Sequence, residues 1–93
     1  MRERDVERKL VSAVLARDGF APKLSCPGMD GMPDRLILLP GGRAAFAELK
    51  APGKRPCPLQ LRRKCQLEAL SFRVYVIDHP DQIGGVLDEI QAP

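Results

Sequence analysis

The sequence predicts a small α/β sandwich, with helices flanking a mixed central sheet in the order α-β-β-β-α-β-α. Three observations predict it. Apolar residues recur at helical spacing near both ends of the chain, short β-type runs lie between them, and a Pro-Gly-Gly turn joins two of those runs.

Over residues 3–18, Val6, Leu10, Val11, Val14 and Leu15 gather on one side at about 100° per residue, an amphipathic helix with Gly19 as its stop. Residues 20–26, FAPKLSC, read as a short edge strand, because Pro22 lacks the N–H a central strand needs. CPGMDGMP is rich in turn residues and forms a loop. DRLILL, PGG and RAAFAELK follow as strand, turn and strand: a β-hairpin. APGKRPCP is a second loop, and Pro58 suits the first turn of a helix that reaches about Leu70. That helix has no single apolar stripe, which predicts burial on more than one side. FRVYVI alternates as a strand, with Phe72, Val74 and Val76 on one face; Phe46 and Phe72 are expected in the core. After Pro80, residues Ile83, Val86, Leu87 and Ile90 keep helical spacing, against a cost of about 1 kcal/mol each for Gly84 and Gly85. The apolar face of this last helix either covers the sheet or meets a second subunit.

Ninety-three residues make one domain, 1–93, and a small one. A domain of this size buries only about 60–65% of the surface its unfolded chain exposes, so a second copy is a natural source of further burial. The composition, 44% hydrophobic and 29% charged, is that of a globular protein. No run approaches the roughly 18 apolar residues of a membrane span, and the opening MRERDVERKL lacks the apolar core of a signal peptide. A cytoplasmic or nucleoid-associated location is expected. The odd cysteine count (Cys26, Cys57, Cys65) and the lack of a signal peptide argue against a disulfide framework, and the lone His79 has no partner at zinc-ligand spacing. The thiols are expected to be packing residues.

Net charge is only +3, but its placement is uneven. No acidic residue lies between Glu48 and Glu68, where Lys50, Lys54, Arg55, Arg62, Arg63 and Lys64 all fall. A one-sided basic stretch suits a polyanion, since each phosphate contact releases counterions.

The hairpin carries the chemistry. A three-residue loop at Pro40–Gly42 opposes Leu39 to Arg43, and counting back opposes Asp34 to Glu48. Opposed residues share a face with Cβ atoms about 5 Å apart, and Lys50, two residues on, shares it too. A two-residue loop would shift the register and lose that opposition. Facing carboxylates destabilise a hairpin unless something positive lies between them; Lys50 does part of this, and a divalent cation does it better. Glu7 falls within about 20° of the centre of the first helix's apolar stripe. A carboxylate facing the core is costly unless paired or metal-bound. It is either an ion pair with Lys23 or Arg35, or a third ligand on the same cation. Glu3, Arg4 and Asp18 lean to the same side, but at helix ends that water reaches.

Pro33–Asp34, Glu48-Leu49-Lys50, the upstream Glu7 and the downstream Gln60 resemble the PD-(D/E)xK nuclease superfamily. Within it GMPDR, the Gly-Gly hairpin, FAELKAPGKRPCPLQ and Leu67 resemble the virus-type replication-repair nuclease (VRR-NUC) domain, over Glu7 to Ile77. The resemblance implies a restriction-endonuclease-like sandwich and a DNA endonuclease dependent on Mg²⁺ or Mn²⁺. It implies that Glu7, Asp34, Glu48 and the main-chain carbonyl of Leu49 hold the metal. Lys50 would orient or deprotonate the attacking water and stabilise charge on the phosphorus centre, and Gln60 would reach back to position Lys50 or the water. Lys54, Arg55, Arg62, Arg63 and Lys64 would contact the DNA backbone. Exposed rings are too few for a stacking platform, which favours reading by backbone and shape. Ser71 departs from the glycine usual there, a change expected to alter the turn rather than the chemistry.

Stand-alone members of the group resemble Holliday-junction resolvases. That implies branched DNA as substrate, a two-fold homodimer carrying two active sites, and the cytoplasm of a bacterial or phage-infected cell. The alternatives are a non-catalytic DNA-binding or assembly module and a flap- or end-directed nuclease.

Overall fold

The computed structural model describes residues 1–93. The hairpin forms as its turn dictates. β1 (Arg35–Leu39) and β2 (Arg43–Leu49) are joined by Pro40–Gly42, with Gly41 and Gly42 at φ 81° and 72°, and Leu39 pairs with Arg43. β3 (Val74–Ile77) adds in parallel to the other edge of β2, giving a mixed sheet in the order β1-β2-β3. A parallel neighbour needs a crossover. Here α2 (Pro58–Ala69) supplies it.

Alternation along the strands sorts the two faces. Ala45, Ala47 and Leu49 of β2, with Ile37 and Leu39 of β1 and Ile77 of β3, point to one side. There they meet Val6, Leu10 and Val14 of α1 (Glu3–Ala16) and Ile83, Leu87 and Ile90 of α3 (Ile83–Gln91). The apolar face of α3 is thus consumed by the core, and Gly84 and Gly85 lie exposed on its outer side. No helix is long and apolar enough to cross a membrane.

Four local expectations need correction. Residues 20–26 run beside β1 but form no continuous strand: Phe20 bridges Leu38 and Lys23 bridges Arg35, the N–H of Leu24 donates to Asp34, and Pro22 offers a carbonyl to Leu36 and no N–H in return. The second helix is not buried on two sides: none of the residues of α2 is buried. Its lack of an apolar stripe reflects a peripheral helix. Phe72 precedes the first residue of β3 and stays 53% exposed, its ring edge-on to that of the half-buried Phe46 at 5.9 Å. The cysteines do not pack in the core, since Cys57 and Cys65 are exposed and Cys26 is half-buried.

Both longer helices end in the same device. After α1 the N–H of Asp18 donates to Leu15 and that of Gly19 to Val14; after α2 the N–H of Ser71 donates to Glu68 and that of Phe72 to Leu67. This is the Schellman pattern, whose pivot residue is left-handed and usually glycine. Here the pivots are Asp18 and Ser71, at φ 64° and 71°. Each costs on the order of 1 kcal/mol relative to glycine. The departure at Ser71 therefore strains a turn and leaves its shape intact. Gly19 serves a different need: a Cβ there would sit 2.1 Å from the carbonyl oxygen of Leu38.

Candidate active site

Two prolyl-glycyl turns deliver the chain to the site. Cys26–Met29 and Ala51–Lys54 each close with an N–H to C=O bond of 3.0 Å, with Gly28 and Gly53 at φ 77° and 80°. Proline followed by left-handed glycine is the type II turn signature. The first loop is pinned to α2: the side chain of Arg63 donates to the carbonyl of Asp30 at 2.8 Å, and Gly31 lies so close to Leu59 that a Cβ would come within 2.7 Å. Asp34 leaves this loop at the start of β1.

Because Arg35 pairs with Ala47, Asp34 falls opposite Glu48, as the three-residue turn requires. The backbone N–H of Leu49 donates to Asp34 Oδ2 at 2.9 Å and fixes that carboxylate over the end of β2. Glu48 is 3% exposed, and its Oε1 is buried with no hydrogen-bond partner. Burial first, then its hydrogen bond with Asp34 and the Asp34 charge, push the Glu48 carboxyl from 4.5 up to about 8; the Lys50 ammonium pulls the other way. In the metal-free protein Glu48 thus holds a proton at neutral pH. The backbone N–H of Lys50 donates to Ile77 at 2.9 Å, tying this end of β2 to β3. Opposed carboxyl groups, one with an orphaned buried oxygen, fit a divalent cation, which takes hard oxygen donors.

Glu7 does not join them. Its carboxylate accepts from Arg35 Nε at 2.9 Å, while Arg35 Nη1 donates to the carbonyl of Ala21. Arg35 shares the core-facing side of β1 because its partner Ala47 does, and so it reaches the mid-helix acid. Of the two readings open for Glu7, the ion pair is the one that forms. The α1 acid whose charge acts on Glu48 is Glu3, one turn earlier. The signal was present in the helical projection, where Glu3 leans to the same side, but a helix end was read as mere solvent. No three His, Cys, Asp or Glu side chains stand close enough together to enclose an ion.

Gln60 is also placed differently. Its side-chain oxygen accepts from the N–H of Cys57 at 2.9 Å, so it caps the start of α2 instead of reaching to Lys50. The basic set divides. Lys54, Arg55 and Lys64 line one open hollow of about 450 Å³, together with Leu61, Val76 and Asp78. Val76 pairs with Glu48, so this hollow adjoins the acids. Lys64 also pairs with Glu68 at 3.0 Å, Arg63 is spent on Asp30 and Gln66, and Arg62 stays exposed outside the hollow.

No protein-family model matches the sequence. The chain is 47% identical over 81 residues, 87% of each sequence, to the protein named "Putative nuclease p44" of Acyrthosiphon pisum secondary endosymbiont phage 1. It is also similar to a solved structure described as a VRR_NUC domain: 30% identity, a TM-score of 0.86, and coverage of 92% of this chain and 94% of that one.

Proposed function

The chain belongs to the VRR-NUC family of nucleases, and we propose that it is a divalent-metal-dependent DNA endonuclease acting on branched duplexes. The observation that carries this reading is the Asp34–Glu48 pair, opposed across the hairpin with one buried oxygen left without a partner. Mg²⁺ or Mn²⁺ bound there would supply a water acidic enough to attack near neutral pH and charge to offset that of the phosphate. Asp34, Glu48 and the carbonyl of Leu49 would hold the cation, and Glu3 on α1 would add negative charge nearby without closing the site. Glu48 would have to give up its proton to bind a cation, so uptake would release a proton near pH 7. Lys50 directs its ammonium at the phosphate and stabilises charge as the bond breaks. Glu7 and Arg35 act as positioning residues that anchor the start of β1 beside Asp34.

The test is a labelled four-way junction and a matched linear duplex, each incubated with Mg²⁺, Mn²⁺ or EDTA. Cutting is expected with metal only, and faster on the junction. Lys50→Ala should lose at least about a hundredfold, in line with removal of one transition-state donor. Glu3→Gln should lose more than Glu7→Gln, which leaves the acids of the hairpin in place. Cutting that persists in EDTA, or at full rate in Lys50→Ala, overturns the mechanism. Binding without scission under any metal indicates the non-catalytic module, and faster cutting of 5′- or 3′-flaps indicates an end-directed enzyme.

The working form is proposed to be a homodimer. A helix with no buried residue lies beside an apolar patch that includes Phe72 and Leu70, the latter 69% exposed. Exposed apolar surface of this kind marks an association site. Sedimentation at micromolar concentration is expected to give twice the 10.3 kDa of one chain, and Phe72→Glu to return it to one. A single-chain mass throughout rejects the dimer.

A further inference from the structure

Two guanidinium groups on α1 make no ion pair. Arg4 and Arg8 stand four residues apart, on one side of the helix and about 6 Å apart along its axis. With Glu7, Ser12 and Arg35 they line a hollow of about 460 Å³. The only carboxylate in that wall is Glu7, and Arg35 holds it at 2.9 Å. Arg4 and Arg8 are exposed. The ion pairs of the fold involve Arg17, Arg35, Lys64 and His79, and neither Arg4 nor Arg8. Among the other α1 acids only Asp5 acts on Arg4, through its charge and without an ion pair, and none acts on Arg8. Asp5 accepts from the backbone N–H of Arg2, and Glu3 raises the pKa of Glu48 through its charge. Like charges one turn apart weaken a helix, and no ion pair in the fold offsets this one.

The hollow adjoins the candidate site along both chains that build it. Arg4 follows Glu3, and Arg35 follows Asp34. Asp34, just before β1, and Arg35, its first residue, point to opposite faces, so the acid turns to the site and the arginine to the hollow. Beyond the acids, on the α2 side, lies the hollow of Lys54, Arg55 and Lys64. We infer that the Arg4–Arg8 hollow is a second phosphate-binding site, which takes the DNA sugar–phosphate backbone on the α1 side of the carboxylates. The substrate is then held at two cationic hollows with the acids between them. This rests on the nuclease reading for the identity of its ligand, and it adds a grip on the α1 side that the basic run of residues 54–64 does not provide.

The experiment uses the full chain, in EDTA to prevent cutting, and follows binding of a fluorescein-labelled duplex by anisotropy over a range of NaCl concentrations. The double variant Arg4→Gln/Arg8→Gln is expected to bind about tenfold more weakly at moderate salt. The slope of log K against log salt should flatten by about 1.8, near 0.9 for each lost phosphate contact. Lys9→Gln removes an α1 charge outside the hollow and should leave the slope unchanged. Arg8→Gln alone should flatten it by about 0.9, which keeps the inference testable if the double variant folds poorly by circular dichroism. A second arm adds inorganic phosphate at constant ionic strength. If the hollow served a free anion, phosphate would compete in wild type and the variants would keep the full slope. That result overturns the inference, as does an unchanged slope in the folded double variant or an equal loss in Lys9→Gln. The two readings fail separately. Absence of scission under every metal removes the nuclease and leaves the salt slope readable, whereas full cutting with an unchanged slope removes only the second grip.

Discussion

Glu48→Gln is expected to abolish strand cleavage, by about a thousandfold or more on the scale of a lost charge-stabilising group, while making the metal-free protein more stable in alkaline solution. Both effects have one cause. The Glu48 carboxyl is buried against Asp34, and its pKa is raised from 4.5 to about 8. A group whose folded pKa is raised stabilises fully below its unfolded value, and that contribution is lost as pH climbs through the folded one. Wild type should therefore lose stability between about pH 4.5 and pH 8, by on the order of 2–4 kcal/mol after allowance for solvent screening. Glutamine cannot ionise, and its amide can donate to Asp34 as the protonated acid does, so the variant should not show that loss. Melting in EDTA at pH 5 and pH 9 measures it directly. Near-equal melting points at pH 5 and a higher one for Glu48→Gln at pH 9 are expected. Mg²⁺ should then raise the melting point of wild type at pH 8 and leave the variant unmoved, because ligand stabilises only the state that binds it. A variant less stable than wild type at pH 9, or one that still cuts, would count against the proposed role.

The same residues indicate what a sequence can and cannot disclose. The opposition of Asp34 and Glu48 was legible because it depends on local rules alone: a three-residue turn sets the register, and alternation sets the face. Glu7 was legible as an anomaly but not in its resolution. Choosing between a cation and Arg35 depends on which side of β1 the arginine takes and how far α1 sits from it, and both are tertiary facts. Glu3 was passed over because its position in the helix is unremarkable; only the fold carries that helix end to the open end of the hairpin. The second helix was misjudged because a weak pattern suits two opposite environments, burial all round and burial nowhere. Gln60 and Arg63 have partners the sequence could not single out, for a simpler reason. Each is a long polar side chain with several partners in reach, and the nearest backbone groups took them.

Leu10→Ala is expected to cost about 3–5 kcal/mol, the range for emptying a fully buried leucine site. Leu10 is 0% exposed and belongs to the single cluster that joins α1, α3 and the inner face of the sheet. A domain of this length has about 5–14 kcal/mol in all, so one methyl-rich side chain holds a large share of it. The melting point should fall by at least about 12 °C, since each kcal/mol is worth about 4–8 °C at this size. Leu61→Ala on α2 is the counterpart. Leu61 is exposed in the single chain, so its loss should cost less than about 1 kcal/mol when the protein is dilute. If the two variants lose equally at every concentration, α2 belongs to the core and its peripheral position is wrong. If the Leu61 penalty appears only as concentration rises, the helix is being covered by a second copy. Activity adds a separate readout. α1 carries Glu3 as well as Leu10, so cleavage by Leu10→Ala should fall in step with the folded fraction and return with it on cooling.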